Sequence, residues 1–489
     1  MKALALFLGV AVLVLLLILL TGCAGPRSDA QRIAAVERGL LPEGAFPPWT
    51  AESLASRMRH YRVPGLGIAV IDGWRVTWVR GYGVTETGLG KPVTVDTLFP
   101  ALGNSAIVSN YLAMILVEKG LLDPDRDVNQ VLRTWKVPDN TFTSRRKVTP
   151  KMLIEFNSSG LNEFRSEGYA AGTPYPSLVQ VLSGEPPAVN PPVRVVAEPG
   201  TPHGGGQCFL VETLVLEQLM ADLEGRPFPE IAADRLFIPL GLYAATFEQP
   251  LPADFRERAV TGHVGGVPLP GKRRVYPDRA AMGLWATPAD LARLVAEMCR
   301  SYRGLSSRFV SRATAARFLA VDHPNYRHYS SATGGESAIL YNPATGQGVV
   351  LMMNGGPDAG GLRDEILQCL FRQYRWTWGY DLIWNPTFKQ GWMLVLALVL
   401  AGLIAALTTA LHLQGRRTAP RPARDTHSSR SRDTRVIRED SQQMKPQMKD
   451  THSIRSQETL PPQGEDTHRP RTGDIQRPGA AAWPDKEES

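Results

Sequence analysis

Serine, lysine and histidine are the side chains from which this chain would have to build hydrolytic chemistry, and the stretch from Thr97 to Gly120 is where they would count most. A serine hydroxyl is a weak nucleophile until a neighbouring base takes its proton, and a lysine one helical turn along is well placed to assist. Ser105 lies in the stretch, but Val108 stands one turn on and the nearest downstream lysine is Lys119. A second Ser-x-x-Lys spacing, Ser144 to Lys147, precedes a predicted strand rather than opening a buried helix, so it reads as chance. The histidines are scattered, H-E-x-x-H is absent, and no Cys/His pair has metal-ligand spacing. Gly204 to Gly206 lacks the Lys and Ser/Thr of a phosphate loop. Neither a metal nor any other cofactor is therefore expected. Of the cysteines, Cys208, Cys299 and Cys369 have no C-x-x-C spacing and read as buried free thiols.

The elements that must position these groups are legible. Ile107 to Val117 is apolar nearly all round, which is the pattern of a helix buried in a domain core. Asn104 or Ser105 can cap its start, and Gly120 suits the C′ position where a positive φ is wanted. A helix is expected around Ala51 to Met58. Gly65 to Ile71 and Arg75 to Gly83, joined by Asp72-Gly73, predict a β-hairpin. Further on, a helix is predicted over Phe209 to Leu223, another begins at Pro288 with Thr287 as its cap, and a third runs from about Leu362 to Tyr374. Three strands, one carrying His328 to Ser330, one over Ser337 to Tyr341 and one over Gln347 to Asn354, precede that last helix.

With its flanks, the central stretch resembles the serine β-lactamase and penicillin-binding protein family, in its class C and D-alanyl carboxypeptidase or esterase-like branch. The resemblance is carried by Thr97-Leu-Phe99 before the helix and by Leu116 to Asp123 after it, and extends over about 50–376. It implies an α+β fold: an antiparallel sheet flanked by helices, plus a helical lobe. Register fixed from both sides places Gly103 where the family has its nucleophilic serine and Ala106 where it has its lysine. Asn157 stands where a motif histidine would, and Gly205 or Cys208, according to register, where a motif tyrosine would. In the last motif His328 is kept, while Ser330 replaces a glycine. The implied site is thus a set of vestigial positions, Gly103, Ser105, Ala106 and His328, beside an oxyanion-type backbone donor expected to be intact.

The chain ends add membrane signals. Residues 1–23 join Lys2, an uncharged apolar run and Leu20-Thr-Gly-Cys23, the pattern of a lipoprotein signal peptide with Cys23 as the lipid anchor. The alternative is an uncleaved signal anchor. Residues 392–413 form a predicted transmembrane helix, with arginines beyond it and Trp392 at its other edge. The positive-inside rule places the tail in the cytoplasm and the main domain outside the bacterial cell membrane, in the periplasm. The expected organisation is signal peptide 1–23, tether 24–47, β-lactamase-related domain 48–376, linker 377–391, span 392–413 and disordered tail 414–489. The tail repeats D-T-H-x-x-R three times, from Asp425, Asp450 and Asp466. The net charge of +7 does not point to nucleic acid, because no basic run is interleaved with aromatics. The expected function is a catalytically degenerate, membrane-anchored homologue that binds a cell-wall or peptide ligand, or an envelope protein. The alternatives are a hydrolase with a rebuilt site using Ser105 and His328, and a structural envelope protein.

Overall fold

The computed structural model describes residues 27–42, 50–156, 158–201, 209–319 and 326–379, with short helical pieces between 400 and 411. The chain divides into two units, Met1–Ala419 and Pro420–Ser489, and every described residue belongs to the first. The expected signal peptide with Cys23, the disordered tail, Asn157, and the turn with Gly205 and Cys208 lie outside the described residues, as does most of the expected span. Among the described residues no helix is long and apolar enough to cross a membrane.

The chain first forms helix α1 (Asp29–Arg38) and helix α2 (Leu54–His60), the latter capped by Ser53 rather than starting at Ala51. The predicted hairpin follows as strands β1 (Gly65–Asp72) and β2 (Arg75–Gly83). The buried helix is α3 (Ser105–Glu118), and Gly120 adopts the expected positive φ after it. Pro150–Ile154 is a short helix, where the sequence suggested a strand after Lys147. The proline at its first position, whose missing N–H is no loss there, favours that outcome. Helix α4 (Phe209–Glu224), the short helix α5 (Arg279–Met282) and helix α6 (Pro288–Arg303) follow. The chain then lays down strands β3 (Tyr326–Ala332), β4 (Gly335–Asn342) and β5 (Gln347–Met353), and ends in helix α7 (Gly360–Tyr374).

These strands make one antiparallel sheet in the order β3-β4-β5-β1-β2. Because successive strand residues face opposite ways, β1, β4 and β5 each feed two cores. Ala69, Ile71, Ile339, Tyr341, Val350 and Met352 face the core that contains α3, α4 and α6. Leu66, Ile68, Val70, Leu340, Leu351 and Met353 face a second core closed by α1, α2 and α7. A helix buried on every side, as α3 is from Ser105 to Leu116, is held rigidly. What sits at its first turn is therefore fixed in space.

Candidate active site at the tip of the buried helix

The approach to α3 is built by backbone pairing. Phe99–Pro100 pairs with Trp285–Ala286, and the Ala101 N–H donates to the Leu284 carbonyl at 2.8 Å. A tight turn over Leu102–Asn104 then enters the helix, with Leu102 at φ +52°. A leucine rarely adopts that left-handed conformation, and its near-complete burial holds it there.

At this turn Gly103 meets the edge strand β3. The Gly103 N–H donates to Ser330 Oγ at 2.8 Å. A Cβ at Gly103 would lie 2.8 Å from that oxygen and 3.3 Å from His328 Cε1. Ser330 therefore occupies the space a side chain at 103 would need, and its oxygen takes the backbone proton expected to serve an oxyanion. The expectation of an intact oxyanion-type donor is corrected here: the N–H is present, but it is already bonded. His328 and Ser330, two residues apart on one strand, share a face of the sheet.

A polar relay fixes His328. Ser337 Oγ donates to the Ala101 carbonyl at 2.5 Å, so its oxygen is left to accept from Asn104 Nδ2 at 2.6 Å. The Asn104 carbonyl, at 2.9 Å from His328 Nδ1, then requires the proton on Nδ1 and the lone pair on Nε2. Burial pushes the His328 pKa down to about 4, so the ring is neutral near pH 7. Asn104, expected as a possible helix cap, makes no capping bond because its side chain is committed to this relay.

The other sequence candidates make different contacts. Ser105 is fully buried and its Oγ accepts from the Leu284 N–H at 3.1 Å. That bond ties the Ser105 oxygen to the backbone of the segment before Trp285. Ala106 is 1% exposed and offers no proton acceptor. Further along α3, the Ser109 hydroxyl donates to the Ala280 carbonyl at 2.8 Å and Asn110 Nδ2 donates to the Ile154 carbonyl at 2.7 Å. These polar residues fasten the helix to neighbouring backbone rather than forming a reaction centre. Ser144 lies on an exposed turn, where its hydroxyl donates to the Thr141 carbonyl at 2.9 Å. Among the described residues no cluster of three or more His, Cys, Asp or Glu side chains is arranged to hold a metal ion. Cys299 and Cys369 are buried free thiols.

Sequence reasoning missed the pairing of Ser330 with Gly103 and the roles of Asn104 and Ser337. The available signal was complementary substitution: a glycine where the family motif has serine, and a serine where it has glycine.

Comparison with known proteins agrees with this architecture. A β-lactamase family model matches residues 51–368, more than half of the chain. The protein belongs to the β-lactamase family. A penicillin-binding protein 4 from Amycolatopsis lactamdurans is 27% identical over 219 residues, covering 44% of this chain and 52% of that protein. The chain thus spans about half the length of the curated relative it matches. The octameric penicillin-binding protein homologue from Pyrococcus abyssi superposes with a TM-score of 0.51 at 18% identity, covering 65% of this chain and 75% of that one. A class C β-lactamase from Rhodobacter sphaeroides gives 0.48 at 19% identity, covering 65% and 97%. The first of these supports the fold alone.

Proposed function

We propose that this protein is a membrane-anchored, non-hydrolysing member of the family, whose cleft binds a cell-wall peptide or a partner protein in the envelope. The observation that supports it most is the bond from Gly103 N–H to Ser330 Oγ. The helix tip carries no nucleophilic side chain at 103 and no amine at 106, and the donor that would stabilise a tetrahedral oxyanion is engaged. Anchoring rests on the lipidation pattern at Cys23 and the apolar run at 392–413. Binding without turnover is checked by incubating the purified full chain with an acyl-D-alanyl-D-alanine peptide. The expected result is a raised melting temperature with the peptide recovered intact; release of D-alanine would overturn the reading.

A second reading has its own observation. Ser330 Oγ lies where the side chain of a nucleophile at 103 would project, with His328 beside it. In that reading Ser330 itself is acylated, and mass mapping with a covalent serine probe separates the two.

A further inference from the structure

The second core opens at one corner of the sheet into a cavity of about 590 Å³, between α2, the turn into β1 and the end of β2. That size is within the range that holds small organic ligands. The cavity beside the Gly103 loop, which reaches Pro100 and Leu102, is only about 20 Å³. Leu54, Met58, Val63, Pro64 and Tyr82 supply the apolar walls, and Leu54, Met58 and Val63 are almost wholly buried.

The charge at this cavity is one-sided. Arg59 and Arg62 line it and are solvent-exposed, which puts them at its mouth. Among the described residues neither guanidinium forms an ion pair with a carboxylate. Glu37, the one acid among the described lining residues, accepts from the Tyr82 hydroxyl at 3.3 Å. A peptide would bring amide groups against the apolar walls, where unmatched polar groups are penalised. A molecule with one alkyl chain and one anionic head matches both parts, chain inside and head on the arginines.

We infer that this cavity binds a long-chain fatty acid, with the acyl chain along Leu54, Met58 and Tyr82 and the carboxylate on Arg59 and Arg62. The site is on the opposite face of the sheet from α3, so it stands or falls independently of the Gly103 reading.

The full chain, reconstituted in phosphatidylcholine nanodiscs, is irradiated with a diazirine-bearing palmitate analogue and its tryptic peptides are mapped. The expected cross-links fall in residues 51–64 or around Tyr82 and are competed away by unlabelled palmitate. An Arg59→Glu/Arg62→Glu variant, altered only at exposed positions, should label about tenfold less, as loss of a charge-assisted contact implies. A diazirine hexadecanol should label the wild type about tenfold less for the same reason. Labelling confined to 1–23 and 392–413, or equal labelling by the alcohol or of the variant, overturns the proposal. So does labelling of this cavity that arises only after Phe46→Ala/Trp49→Ala, because the chain's own segment 43–49 would then be the occupant.

Discussion

Installing a serine at Gly103 would not restore a nucleophile, because the new Cβ would meet Ser330 Oγ at 2.8 Å. Gly103→Ser should destabilise the fold by about 1–3 kcal/mol through overpacking. Ser330→Gly removes one hydrogen bond and frees a strand residue, a loss of about 1–2 kcal/mol. The double variant should be less destabilised than the two effects added, since removing the hydroxyl makes room for the new one. Denaturant titration of the four proteins reads that coupling, and strict additivity would refute the steric account. His328 gives a pH signature at the same spot. Its folded pKa, about 4, lies below the ordinary 6.5, so between those values the unfolded chain binds the proton and the folded one does not. Stability should therefore fall as pH drops from 6.5 to 4, by up to about 1.4 kcal/mol per pH unit. His328→Asn, which keeps an N–H facing Asn104, should flatten that slope in urea titrations across the range.

The central helix was legible as an element because its apolar residues surround it, and its polar residues were the part that could not be read. Whether Ser105, Ser109 and Asn110 do chemistry or hold backbone depends on partners far along the chain, such as Leu284 and Ala280. The segment α5 is gripped from both sides: Ser109 bonds the Ala280 carbonyl, and Glu217 on α4 accepts the Ala280 N–H at 2.8 Å. Burial raises the Glu217 pKa to about 8, so the carboxyl stays protonated in the fold. A raised folded pKa means the folded state binds more protons than the unfolded chain between 4.5 and 8, and stability is lost as pH rises through that window. Glu217→Gln keeps the carbonyl acceptor without the titration. Its melting temperature should decline less than that of wild type between pH 5 and 8, and parallel curves would contradict the assignment.

At the scale of the whole molecule, the two ends of the domain are clamped together. Arg57 on α2 donates from Nε and Nη2 to Glu365 on α7 at 2.8 and 2.6 Å, and the Tyr61 hydroxyl adds a bond of 2.9 Å. Both charged groups are nearly buried, so losing one partner strands the other. Arg57→Met should cost about 3–5 kcal/mol, and Arg57→Met/Glu365→Met should recover much of it. Equal losses in the two variants, measured by calorimetry, would count against a buried pair. The hairpin, the strand run and the capping of α6 by Thr287 were readable because local periodicity and turn chemistry decide them. The Gly103–Ser330 contact was not, since its partners are 227 residues apart and only the sheet brings them together.

The central claim is that no serine in the cleft of this β-lactamase relative is reactive. Intact-mass spectrometry of the full chain after treatment with a fluorophosphonate, and separately with penicillin, tests it most directly. An unmodified mass with both reagents is the predicted result. A stoichiometric adduct mapped to Ser330, Ser105 or any other cleft serine would contradict it.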